Sequence, residues 1–90
     1  MYYVYVLKSF KNKHFYIGCT DNLERRLKYH NLGLVFWTKR YKPWELIYKE
    51  TYNSKDKAFR REKYFKSHAG RNWLKKHIGP RSLMDKAAPF

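Results

Sequence analysis

Five side chains in this 90-residue chain are of the types and spacing that could work together: Tyr5, Tyr16, Arg26, His30 and Glu62. Successive residues of an α-helix are rotated by about 100°. In a helix over Asn22 to Asn31, Leu23 and Leu27 define the apolar face, and Arg26 and His30 fall on its edge, one turn apart. In a later helix Ala58 and Phe65 define the stripe, and Glu62 lies between them on the buried side. A carboxylate buried without a partner costs several kcal/mol. Glu62 therefore needs a cation: a metal, Arg26 or both, with a purely structural salt bridge to an arginine as the plainer solution. Tyr5 and Tyr16 fall on neighbouring strands and can share the sheet face that helices cover. Each residue also has an ordinary role, tyrosine as strand packing and Arg26 with His30 as a solvated basic edge. As a set they are the parts for phosphodiester hydrolysis, which needs a base for water, a cation for developing charge and a metal for phosphate oxygens.

Other chemistries find less support. His14, His68 and His77 stand at no metal-ligand spacing, no glycine-rich phosphate loop is present, and Cys19 has no base nearby. A single cysteine excludes an internal disulfide and a cysteine-based zinc site, and it suits a reducing cytoplasm. Gly18 permits close backbone approach at a strand end.

The elements that must position these groups follow from pattern. Tyr2 to Leu7 is β-branched and aromatic, hence a strand. The polar turn Lys11-Asn12-Lys13 and a second strand, Phe15 to Cys19, complete an antiparallel hairpin. Asp21, with Glu24 three residues on, has the capping-box spacing, and Gly33 ends the helix that follows. After a basic loop, Thr38 to Pro43, the stretch Trp44 to Tyr52 alternates Trp44, Leu46 and Tyr48 with Glu45 and Lys49, predicting a third strand. Asn53 or Ser54 caps a second helix running to about Ser67. Gly70 breaks it, and Arg71 to His77 forms a short third helix. Beyond Gly79 no period survives, so residues 1–78 are expected to be one domain and 79–90 a disordered tail.

Composition agrees. So short a chain buries only about 60% of its unfolded surface, and nine Tyr, six Phe and three Trp supply the apolar area. The formal charge of +14 implies a polyanionic partner. The basic residues run along the whole chain, favouring nucleic acid over an anionic membrane surface. The longest apolar run, Met1 to Leu7, is far shorter than the ~20 residues a membrane helix needs. Without a charged segment before it, the run is no signal peptide either.

Tyr3-Val4-Tyr5, followed about ten residues later by Tyr16-Ile17-Gly18, resembles the paired tripeptides that name the GIY-YIG nuclease family. Leu23 to His30 is similar to that family's arginine-bearing helix, and Lys39 to Trp44, Ala58 to Glu62, Lys66-Ser67 and Gly70-Arg71 continue the series. The resemblance covers residues 2 to 77 and is nearest to the small stand-alone bacterial members. It implies an α+β fold, a three-stranded antiparallel sheet flanked by helices in the order β-β-α-β-α-α, and DNA cleavage assisted by one divalent metal, Mg²⁺ or Mn²⁺. Tyr5 and Tyr16 match the tyrosines of the two tripeptides, Arg26 rather than Arg25 the catalytic arginine, His30 a hydrogen-bonding helix position and Glu62 the metal-binding glutamate. The first tripeptide lacks its glycine. Asn72, the one candidate for a late asparagine, is left out of the set.

The mechanism expected on this basis has Glu62 holding the metal, Arg26 stabilising charge on phosphorus, Tyr16 taking a proton from water with Tyr5 as its partner or the two tyrosines in the reverse roles, and His30 hydrogen-bonding the pair. Lys39, Arg40 and Lys42 are expected on backbone phosphates, which positions DNA without reading sequence. Flaps, branches, damaged duplex and RNA all remain open as substrates, in DNA repair or recombination, as does a protein partner supplying specificity. Two rivals stand beside the nuclease: a non-catalytic DNA- or RNA-binding module, and a structural ribonucleoprotein component, which gives Glu62 no reason to face inward.

Overall fold

The computed structural model describes residues 1–11 and 14–78. The turn expected at Lys11 to Lys13 falls largely, and the tail expected over 79–90 falls wholly, outside the described residues. Strands β1 (Tyr2–Ser9), β2 (Phe15–Thr20) and β3 (Trp44–Tyr52) form one antiparallel sheet in the order β2-β1-β3. Helix α1 (Leu23–Leu32) precedes β3, and α2 (Lys55–Lys66) and α3 (His68–Ile78) follow it. The basic loop adds a 3₁₀ turn at Lys39–Tyr41. This is the α+β architecture and element order expected from the sequence.

Side chains of a strand alternate between the two sheet faces, and central β1 is covered on both. Val4 and Val6 pack with Ile17 of β2, Ala58 and Phe65 of α2 and Leu74 of α3. Tyr5 and Leu7 pack on the other face with Trp44, Tyr16 and the α1 residues Leu23 and Leu27. The site residues of α1 and of α2 therefore start on opposite faces of the sheet.

Two expected boundaries are corrected. The N-cap of α1 is Asn22, not Asp21: its backbone is extended and its side chain accepts from the Arg25 N–H at 3.0 Å. Asp21 instead pairs with the Arg25 guanidinium at 3.3 Å. At the other end Gly33 has φ of 80°, the left-handed conformation that favours glycine. Ser54 caps α2. The break after α2 lies at Ser67, where the backbone turns extended, and not at Gly70, which sits inside α3. A Cβ at Gly70 would stand 1.8 Å from the Tyr64 carbonyl oxygen, so glycine is required because α3 crosses the end of α2 at backbone contact.

The alternation expected in β3 also breaks. β1 and β3 pair Val6 with Tyr48 but Leu7 with Leu46, a bulge that passes over Ile47. Trp44 and Leu46 face α1, whereas Tyr48 and Tyr52 join the opposite core. The switch also aims Glu50, register partner of Val4, at α2. There Glu50 accepts from the Tyr48 and Tyr52 hydroxyls and makes a two-point ion pair with Arg61, at 2.9 and 3.2 Å. The Arg61 guanidinium lies 4.5 and 4.6 Å from the Phe65 and Trp73 ring centres. This partly buried acid–arginine pair ties α2 to β3 one residue before Glu62. No described helix is long and apolar enough to cross a membrane.

Candidate active site

The site begins with a missing side chain. Tyr5 and Gly18 are register partners on β1 and β2. A Cβ on Gly18 would come within 2.5 Å of the Tyr5 hydroxyl, 2.6 Å of its ring and 2.9 Å of the Tyr16 ring. The close approach expected at Gly18 is therefore that of two tyrosine rings, whose centres lie 6.2 Å apart.

Helix α1 lays Leu23 and Leu27 against these rings, and that fixes the direction of Arg26 and His30. His30 is fully buried. Its Nε2 is 3.0 Å from the Tyr5 hydroxyl and its Nδ1 2.7 Å from Thr38 Oγ1. Thr38 in turn directs its hydroxyl at the Val35 carbonyl, 3.4 Å away. The network closes in one direction when Nδ1–H donates to Thr38 and the Tyr5 O–H donates to Nε2. Burial, reinforced by the nearby Arg26 charge, lowers the His30 pKa from 6.5 to about 4, so the ring is neutral at physiological pH. A neutral imidazole here acts as an acceptor that orients Tyr5.

Arg26 lies beside both phenols, close enough for its guanidinium to interact with Tyr5 and Tyr16. Its Nε is buried and has no hydrogen-bond partner among the described residues. A buried donor left unpaired costs about 1–3 kcal/mol. Tyr5 titrates well above the ordinary tyrosine value, because burial outweighs the lowering effect of Arg26 and because Tyr16 and Glu62 add to the rise. Tyr16 is only half-buried, and it borders an open depression of about 180 Å³ shared with Lys66 and Arg71. A larger one, about 420 Å³, is lined by Cys19, Arg25, Arg26 and Lys55 among others. Both depressions include residues of β2, an edge strand of the sheet.

Glu62 approaches from α2 on the other face. Its side chain is 15% exposed, and its cation is Lys66 of the same helix, at 2.8 Å. The Arg26 partner and the interhelical arginine bridge weighed for it are not what the fold uses. Its negative charge is nevertheless felt at Tyr5 and at Cys19, where it raises both pKa values. Among the described residues no three His, Cys, Asp or Glu side chains converge. The donor set fits a hard divalent ion that takes one carboxylate and otherwise phosphate oxygens and water; it does not fit a protein-caged metal.

Tyr5, Tyr16 and His30 are thus clustered, with Arg26 beside the two phenols, and the charge of Glu62 reaches Tyr5 from α2. Lys39 and Arg40 are exposed on the 3₁₀ turn and Lys42 is exposed just after it. Lys39 directly follows Thr38, the hydrogen-bond partner of His30. Asn72 is exposed on α3. Sequence reasoning missed Thr38, although a buried histidine with one nitrogen on Tyr5 needs a second partner. It also missed Glu50 with Arg61, which only the bulge in β3 brings together.

Comparison with known proteins gives the family and the fold. The model of the GIY-YIG catalytic domain matches residues 1–76. A UPF0213 protein of Staphylococcus haemolyticus is 39% identical over 75 residues, covering 82% of this chain and 90% of that one. A UPF0213 protein of Clostridium perfringens is 43% identical over 67 residues, covering 73% and 71%. The solution NMR structure of a UPF0213 protein from Bacillus halodurans superposes with a TM-score of 0.54 at 28% identity, over 100% of both chains.

Proposed function

The chain belongs to the GIY-YIG family, and from that premise we propose that residues 1–78 are a metal-dependent endonuclease domain that hydrolyses phosphodiester bonds in DNA with little sequence specificity. A role in DNA repair or recombination in the cytoplasm fits such an activity. The observation that carries the proposal is the cluster around Arg26: its guanidinium lies beside Tyr5 and Tyr16, and Tyr5 is in turn hydrogen-bonded to the buried His30.

Tyr16 takes the proton of the attacking water, because it is the more open phenol; Tyr5, buried and firmly protonated, is its partner. His30 accepts from the Tyr5 hydroxyl and keeps that ring in place. Arg26 donates to the phosphate and offsets the charge that grows on it as the water oxygen bonds to phosphorus and the 3′ oxygen leaves. Glu62 would hold Mg²⁺ or Mn²⁺, whose chemistry is Lewis-acid polarisation of the phosphate and charge neutralisation on the leaving oxygen. Lys39, Arg40 and Lys42 bind backbone phosphates.

A plasmid nicking assay with and without Mg²⁺ or Mn²⁺ tests the activity. Nicking that requires the ion supports it, and DNA binding without cleavage in either ion rejects it. That second outcome would fit a non-catalytic DNA- or RNA-binding module, and one observation favours such a module: Lys66 already occupies Glu62.

A further inference from the structure

Two adjacent aromatic side chains stand outside the core. Phe36 is 68% exposed and Trp37 is 76% exposed, in a domain where Trp44 is only 4% exposed. Their rings meet edge to face, with centres 5.1 Å apart. Lys39 Nζ lies 5.0 Å from the Phe36 ring centre, and an open depression of about 450 Å³ is lined by Phe36, Trp37, Lys39, Arg40 and Tyr41. This surface belongs to none of the roles assigned above to the tyrosines, Arg26, His30 or Glu62.

The pair is held firmly. Thr38, next in the chain, is buried; its N–H donates to the Val35 carbonyl at 3.2 Å and its carbonyl accepts from Trp44 Nε1 at 2.9 Å. Its hydroxyl meets His30 at 2.7 Å. The backbone that presents Trp37 is thereby tied to the ring that orients Tyr5.

We infer that Phe36 and Trp37 form a stacking site for an unpaired nucleobase, with Lys39 and Arg40 on the phosphates beside it. The partner must offer a flat apolar face and negative charge together, because the rings and the cations are interleaved. A nucleic-acid strand outside a duplex does so, whereas a paired base has its faces covered by its neighbours. Stacking is indifferent to base identity, which suits the low sequence specificity proposed above. The inference rests on the nucleic-acid side of the proposed function but not on cleavage, so its test is run in EDTA.

Bind a dye-labelled dT12 strand and a blunt 12-base-pair duplex to the whole protein, following anisotropy and tryptophan emission. The strand should quench emission. Trp37→Leu should abolish that quenching and weaken strand binding roughly ten-fold or more, with less than a two-fold change on the duplex. Trp37→Tyr, which keeps a stacking face, should restore most of the strand affinity. Equal losses on both probes, or quenching that persists in Trp37→Leu, would overturn the stacking site and leave nucleic-acid binding intact. Self-association that Trp37→Leu abolishes would assign the surface to a second copy of the chain instead. Failure of the unaltered protein to bind either probe would remove the proposed function as well.

Discussion

The Tyr5 hydroxyl lies 3.0 Å from His30 Nε2, and the two groups depend on each other's burial. Burial holds the imidazole neutral, a neutral imidazole can accept the phenol proton, and that bond keeps Tyr5 under Arg26. The consequence for stability has a definite sign. The His30 pKa falls from 6.5 to about 4 on folding. Between those values the unfolded chain binds a proton that the folded chain refuses, so stability is lost as pH falls through this window. At about 1.4 kcal/mol per unit the cost by pH 4 is about 3 kcal/mol. Thermal melts of the wild type and of His30→Gln from pH 4 to 7 check this: the wild type should lose more on acidification, and parallel curves would show that His30 is not held neutral.

Arg26 and Arg25 are adjacent but unequal. Arg25 is 54% exposed and ion-paired with Asp21, while Arg26 stands against the phenols with a buried Nε. Arg26→Ala should abolish nicking with DNA affinity little changed, and Arg25→Ala should only weaken binding. Matched kinetics and filter-binding measurements separate the two, and equal losses would contradict the orientation of α1.

Gly18→Ala should damage the site from beneath. The added methyl meets the Tyr5 hydroxyl at 2.5 Å and both tyrosine rings within 2.9 Å, and Tyr5 is buried and cannot swing away. Overpacking of this kind costs about 1–3 kcal/mol. Urea unfolding should show that loss together with a fall in cleavage rate; an unperturbed variant would mean that the rings have room to shift.

Much of this was legible in the chain, and the gaps have physical causes. The strand at Trp44–Tyr52 and the inward turn of Arg26, His30 and Glu62 follow from periodicity, because burial imposes a period on each element. The cap at Asn22 was misplaced because Asp21 and Asn22 are both good caps and only backbone geometry chooses between them. Gly70 read as a helix breaker because glycine marks both helix ends and close crossings, and the carbonyl of Tyr64 that demands it belongs to another helix. Glu50 escaped notice because a one-residue bulge at Ile47 reverses the faces of β3, and a bulge depends on the partner strand.

DNA affinity should fall steeply with salt, given a formal charge of +14. If six phosphates are neutralised, log K against log salt should have a slope of about −5. A flat response in a filter-binding titration would contradict phosphate contacts by Lys39, Arg40 and Lys42.

Glu62→Gln tests the central claim most directly. Among the described residues Glu62 pairs with Lys66, which is 52% exposed and can return to water, so its loss should barely alter melting in EDTA. Glu50→Gln is the internal contrast, because it strands Arg61 and should cost up to about 3 kcal/mol. Nicking of plasmid by Glu62→Gln in Mg²⁺ or Mn²⁺, paired with its melting curve in EDTA, is the decisive measurement. A protein that melts like the wild type, binds DNA at least as well and does not cut is the predicted result. A Glu62→Gln protein that still nicks, or one that simply unfolds, would contradict a metal-holding role for this carboxylate.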